Sequence, residues 1–165
     1  MNNQAIKYPP VLDACCGSRM FWFDRKNPAA IFVDKRSENH TLCDGRSLEI
    51  SPDLVADFTA LPFPDETFYL VVLDPPHMNK LGATSWMAKK YGRLEGDWKS
   101  MIAAGFRECF RVLKPNGTLV FKWNESQVKA SEVLGLSPVK PLFGHTTGRQ
   151  AKTIWATFFK PSDFV

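Results

Sequence analysis

Phe68-Tyr69-Leu70-Val71-Val72-Leu73-Asp74-Pro75-Pro76-His77 is an apolar run stopped by an acid and two prolines. A short apolar run of this kind, bounded by such a stop, reads as a buried strand over 68–73. Asp74 then stands at the carboxyl end of that strand, and the prolines stiffen the chain that follows. At such a strand end the Asp74 carboxylate and the Pro75 carbonyl can converge on one amino group. Pro76 and His77 complete the element, with the His77 ring held nearby. The arrangement suits holding a planar amine while its nitrogen attacks or is attacked.

Working outward, short β-like runs alternate with helical or irregular segments. Upstream, 11–14 reads as a first strand ended by Cys15-Cys16-Gly17-Ser18, with a short helix expected over 18–24. A second strand over 30–34 ends in Asp34. Residues 41–43 and 46–50 read as a hairpin around the Asp44-Gly45 turn. A third strand over 54–57 ends in Asp57. Downstream, 78–96 is irregular and rich in Gly and Lys, a length that suits a lid or binding segment. Asp97 can cap a helix over 98–112, whose Met101, Ile102, Phe106, Phe110 and Val112 form an inward stripe. A turn at 114–117, a fifth strand over 118–123 and a short helix over 126–134 follow. Segments 142–145 and 153–159 read as a closing antiparallel pair. The pattern predicts an α/β fold, a mainly parallel sheet with a C-terminal antiparallel strand pair, in one domain over 1–165.

The 165 residues, 44% apolar and 23% charged, have the composition of a soluble globular chain with a substantial core. No stretch is long and apolar enough to span a membrane, and 1–10 lacks the apolar core of a secretion signal. Cys15, Cys16, Cys43 and Cys109 show no paired spacing, so reduced thiols in a cytoplasmic protein are expected. His40-x-x-Cys43 has no second half, and no metal site is expected. The net charge of +4 tolerates an anionic partner without demanding one.

In an open α/β sheet, ligands bind outside the carboxyl ends of the strands. Here consecutive strands bring Asp13 and the Cys15–Arg19 turn, Asp34, Asp57 and Asp74 to one edge. Gly17 lets backbone approach a ligand, Asp34 can accept bonds from a ribose diol, and Asp57 with the Phe58 backbone can read an adenine edge. The Asp13–Arg19 turn has one glycine rather than the three of a dinucleotide fingerprint, and no Gly-Lys-Ser/Thr loop exists. A nucleoside without phosphates therefore fits better than NAD or ATP.

Asp13-Ala14-Cys15-Cys16-Gly17-Ser18 resembles the first motif of class I S-adenosylmethionine-dependent methyltransferases, a Rossmann-like family. Residues 56–65 (Ala-Asp-Phe-Thr-Ala-Leu-Pro-Phe-Pro-Asp) resemble that family's segment after its third strand. Residues 110–119 (Phe-Arg-Val-Leu-Lys-Pro-Asn-Gly-Thr-Leu) resemble the feature before its fifth strand. Asp74-Pro75-Pro76-His77 is similar to the Asp-Pro-Pro-aromatic motif of enzymes that methylate exocyclic amines, notably N6 of adenine. The resemblance implies S-adenosyl-L-methionine against Asp13, Ala14, Cys15, Gly17, Asp34, Asp57, Phe58 and Asp74. It also implies methyl transfer to a nitrogen held by Asp74 and the Pro75 carbonyl. Two positions depart from the family pattern. Arg19 stands where a second glycine is common, and His77 replaces the usual Tyr, Phe or Trp.

Such a transfer works by orientation and electrostatics, because the sulfonium is already activated. A C5-cytosine mechanism would need a Pro-Cys nucleophile, and the chain has no Pro-Cys dipeptide. The expected substrate is a nucleic-acid base, DNA or RNA, met by Trp86, Tyr91, Trp123 and Arg149 with the lysines of 80–99. No separate target-recognition domain is present, so sequence specificity would call for a partner subunit or homodimer. The rival readings are methylation of a protein side-chain amide or a small molecule, and a non-catalytic cofactor-binding scaffold.

Overall fold

The computed structural model describes residues 7–42, 44–82, 85–146 and 152–164. Among them, β1 (Val11–Asp13), β2 (Ala30–Asp34), β5 (Leu54–Val55), β6 (Phe68–Leu73), β7 (Leu113–Asn124), β8 (Phe143–Thr146) and β9 (Thr153–Phe159) form one sheet. Its order is β5-β2-β1-β6-β7-β9-β8. Among these strands β9 alone runs against the common direction, pairing antiparallel with β7 from Thr118↔Phe159 to Asn124↔Thr153 and with β8 on its other side. The order reverses between β1 and β6, which pair in parallel through Leu12↔Val71 and Asp13↔Val72. That reversal is the switch point at which ligands of open α/β sheets bind.

The sheet is covered chiefly on one face. Helix α2 (Trp98–Val112) packs Phe106 against Phe121 and Phe158, with ring centroids 4.9 Å and 5.7 Å apart. Each fully buried phenylalanine contributes about 1.5–3 kcal/mol relative to exposure. Asp97 caps the helix, accepting from Ser100 N–H at 3.2 Å. From its last turns, Glu108 accepts from Leu61 N–H at 2.8 Å, and Arg111 donates to the Leu61 and Phe63 carbonyls. The Leu61-Pro62-Phe63 segment is thereby fixed to α2. On the opposite face Val11, Leu70, Thr118 and Val120 are only half-buried.

Several elements differ from the sequence expectation. No helix forms over 18–24: Gly17 and Arg19 both adopt left-handed φ, 49° and 54°, and residues 16–22 make successive tight turns. The hairpin forms as β3 (Glu38–Thr41) and β4 (Ser47–Ile50) and occupies the crossover between β2 and β5. Within 78–96 a short helix, α1 (Trp86–Tyr91), starts at Ser85, whose hydroxyl accepts from Met87 N–H. Helix α3 (Ala130–Leu134) begins later than expected, because Asn124 captures both the N–H and the hydroxyl of Ser126. The turn expected at 114–117 is instead a bulge within β7. Asn116 takes φ 62°, and Asn116 N–H and the Gly117 carbonyl bond to the Lys160 backbone.

Candidate active site

The carboxyl ends of β1, β2 and β6 meet around the Cys15-Cys16-Gly17-Ser18 turn. Gly17 N–H donates to Asp34 Oδ2 at 2.9 Å, and a Cβ on Gly17 would meet nothing within 4 Å. The outer face of the turn is thus open to a ligand. Asp34 is 1% exposed, and its Oδ1 accepts from Arg36 N–H at 2.9 Å and Nε at 3.3 Å. A carboxylate offers about four lone-pair sites, so one acceptor position remains on Asp34. Arg36 then crosses to α1, donating from Nη1 to the Lys89 carbonyl at 2.8 Å.

Cavities lie on either side of Arg36. One, of about 420 Å³, is bordered by Cys15, Asp34, Arg36, Phe58, Pro76 and α1. The other, a small cavity of about 30 Å³ lined by Cys15, Gly17, Asp34, Asp74, Pro75, His77 and Tyr91, lies at the end of β6. Several residues expected at the cofactor line neither. Asp13 is fully buried; its oxygens accept from Trp22 Nε1 at 2.7 Å and Cys15 N–H at 3.3 Å. Burial pushes its carboxyl up to about 7, so Asp13 shapes the turn from behind. Ala14 is likewise buried, and Asp57 Oδ1 accepts from Thr59 N–H and hydroxyl as a turn cap. Burial also holds the Cys15 thiol well above its usual range, which suits a packing group and not a nucleophile.

The end of β6 gathers its own partners. Asp74 Oδ2 accepts from Lys122 Nζ of β7 at 2.5 Å. Burial raises the Asp74 carboxyl, while the Lys122 charge opposes that shift. His77 is 8% exposed, with Tyr91 5.8 Å and Trp123 6.1 Å away between ring centroids. Burial with the nearby Lys122 charge lowers its pKa to about 4, against an opposing influence of the Pro75 backbone. His77 is therefore neutral at pH 7 and wedged against the cavity wall, not an open stacking platform.

Of the residues expected to meet a substrate, Tyr91 lines the cavity beside Asp74. Trp86 is 47% exposed on α1 but lines neither cavity. Trp123 corrects the expectation: it is fully buried, its Nε1 donating to the Val128 carbonyl at 2.9 Å. The alternation of β7 turns it inward with Leu119 and Phe121. Arg149 and Cys43 lie outside the described residues. Sequence reasoning did not find Arg36, Phe21 or Lys122. For Lys122 a signal existed, since a lysine interrupts the apolar run Leu119-Val120-Phe121-Lys122-Trp123.

Arg19 binds within the protein. It donates to the Arg25 and Ser51 carbonyls at 2.7 Å and 2.8 Å and pairs with Asp53 at 3.0 Å. Its guanidinium lies 3.8 Å from the centroid of the Phe32 ring. A groove of about 860 Å³ runs from Gly17, Ser18 and Lys90 past Arg19, Arg25 and Lys26 to the hairpin. Among the described residues no cluster of His, Cys, Asp or Glu could hold a metal. No helix among them is long and apolar enough to cross a membrane.

No family model matches the chain, and no curated protein matches it. Among solved structures it is similar to a TehB-like SAM-dependent methyltransferase from Corynebacterium glutamicum, with TM-score 0.57, 13% identity, and coverage of 91% of this chain and 79% of that one. It is similar to the N-methyltransferase NodS from Bradyrhizobium japonicum, with TM-score 0.55, 14% identity, and coverage of 92% and 85%. It is also similar to the cyclase SpnF, with TM-score 0.52, 13% identity, and coverage of 92% and 74%. The chain thus shares the fold of the class I S-adenosylmethionine-dependent methyltransferases. A cyclase on the same fold means that the reaction must be argued from the site.

Proposed function

We propose that this protein is an S-adenosylmethionine-dependent N-methyltransferase acting on an exocyclic amino group of a nucleic-acid base, of the N6-adenine type. One observation carries the reading: the Gly17 turn and the Asp74 carboxylate line the same cavity, with Pro75, His77 and Tyr91. The cofactor fits the donor set. The open face of Gly17 suits the methionine end, for which the cavity of about 30 Å³ beside it would have to widen, and the remaining acceptor site on Asp34 suits a ribose hydroxyl. Phe58, bordering the cavity of about 420 Å³, offers an apolar wall for the adenine. Bound there, S-adenosylmethionine would supply an activated sulfonium methyl for the acceptor nitrogen, with the S–C electron pair returning to sulfur and the displaced N–H proton passing to solvent.

The chain's own residues orient the acceptor. Asp74 and the Pro75 carbonyl accept hydrogen bonds from its two N–H groups and turn the nitrogen lone pair toward the donor. Tyr91 offers a ring to the base, and neutral His77 braces the cavity wall. The basic groove leading away from Gly17 and Lys90 supports a nucleic-acid substrate, because its rim carries Arg25 and Lys26.

Transfer of a labelled methyl group into DNA, RNA and protein fractions tests this reading, followed by identification of the modified nucleoside. N6-methyladenine is the expected product. Label in a glutamine or asparagine amide instead would move the assignment to protein. Cofactor binding with no label in any fraction would leave a non-catalytic scaffold.

A further inference from the structure

Lys122 reaches Asp74 from β7 and is not among the residues that line the acceptor cavity. Its Nζ is 2.5 Å from Asp74 Oδ2, and their side chains are 20% and 18% exposed. The ammonium also sits 5.5 Å from the Phe21 ring centroid and 5.8 Å from that of Trp155 on β9. Those rings pack edge to face, 5.4 Å apart. Lys122 does not line the cavity, whereas Asp74 and Phe21 do. No described residue donates a hydrogen bond to Asp74 Oδ1. One carboxylate oxygen is therefore fixed to a caged cation while the other stays available.

Taking the cavity as the acceptor site, we propose that Lys122 determines its specificity: by neutralising Asp74, it admits a neutral conjugated amine or amide and rejects an alkylammonium ion. An isolated carboxylate at this position would attract any cation, including a lysine side chain or a polyamine. With Lys122 bound, the pair is neutral overall, and a second cation at Oδ1 would face the Lys122 ammonium across one carboxylate. A neutral N–H donor meets no such repulsion and still finds a strong acceptor. The remaining titratable groups near Asp74 are Asp13 and Cys15 at the end of β1, Asp34 on β2, His77 and Tyr91, and the cations Arg36 and Lys90 line the same cavity. Arg36 is bound to Asp34 and Lys90 lies by the Tyr91 ring, so among the described residues Lys122 is the cation paired with Asp74. Lys122 also opposes the rise in the Asp74 pKa that burial causes.

Two readouts test this, using the full chain with Lys122→Met, Lys122→Gln and Lys122→Arg. The first needs no substrate: carboxyl-carbon NMR titration of Asp74, assigned with Asp74→Asn. Asp74 should titrate at higher pH in Lys122→Met and Lys122→Gln, and Lys122→Arg should restore the wild-type curve. The second measures how strongly butylammonium inhibits methyl transfer to an adenine-containing oligonucleotide. Lys122→Met should lower the inhibitory butylammonium concentration by about tenfold or more. An Asp74 titration unchanged in both neutral variants, or butylammonium inhibiting the wild type as strongly as Lys122→Met, overturns the proposal. Absence of transfer to every acceptor would overturn the methyltransferase reading instead, leaving the titration to decide the role of Lys122.

Discussion

Gly17 N–H and Asp34 Oδ2, 2.9 Å apart, join the turn after β1 to the acid that ends β2. The same carboxylate holds Arg36, which reaches α1, so one side chain organises three segments around the candidate cofactor site. Asp34→Ala should cost about 2 kcal/mol of stability, typical of buried bonds to a charged group. It should also weaken S-adenosylmethionine binding at least about tenfold. Calorimetry and urea unfolding measure the two effects separately; cofactor affinity equal to wild type would remove Asp34 from the site.

Gly105 on α2 is the contact that sets the position of Phe58. A Cβ there would meet Cδ2 and Cε2 of Phe58 at 2.5 Å. Gly105→Ala should force the ring toward the adjoining cavity, with a cost of about 1–3 kcal/mol for overpacking. Thermal unfolding should show the loss, and the cofactor dissociation constant should rise with it. A variant that loses stability while binding normally would place the adenine elsewhere.

Burial pushes the Asp13 carboxyl up to about 7 from an ordinary 3.8. Between those values the folded chain holds a proton that the unfolded chain releases. The stability contributed by this group is complete below pH 3.8 and falls as pH rises, by up to about 1.4 kcal/mol per pH unit. Buried His77, lowered from 6.5 to about 4, acts in the opposite sense: its contribution is complete above pH 6.5 and is lost toward pH 4. Asp13→Asn keeps an oxygen for the Trp22 indole and removes only the first effect. The melting temperature of the variant minus that of the wild type should climb between pH 4 and 7. A flat difference would mean that Asp13 is ionised throughout.

Arg19 takes the place of a helix as the fastener of residues 18–29. Its fork joins two carbonyls and Asp53 at once, which a lysine ammonium cannot reproduce. Arg19→Lys should lose about 2 kcal/mol by urea unfolding and speed proteolysis within that segment. Unaltered cleavage would show that the turns hold without it.

Much of the fold was legible because its signals are local. The strand over 68–73, the helix over 98–112 with its Asp97 cap, and the hairpin strands around Asp44-Gly45 follow from periodicity and turn chemistry. The helix expected over 18–24 failed because two left-handed residues and long-range bonds of Arg19 and Trp22 decide that segment. Helix α1 was hidden because its register rests on tertiary contact, with Gly92 against Pro76. Within the site, Asp74 and Gly17 were readable as strand-end residues. The Lys122 contact was not, because it depends on the pairing of Leu73 with Phe121, which places residue 122 beside residue 74. Trp123 was misread for want of the same register.

Strand β9 follows all the other strands of the sheet in the chain, yet Trp155 belongs to the cage around the ammonium that pairs with Asp74. During synthesis, β1 and β6 can be out of the ribosome while that cage still lacks a wall. The centre is therefore assembled last: a nascent chain would display the turn and the acid before it could discriminate between amines. Premature termination before residue 153 would remove Trp155 together with the core residues Ile154, Ala156 and Phe158 and the strand that joins β8 to the sheet.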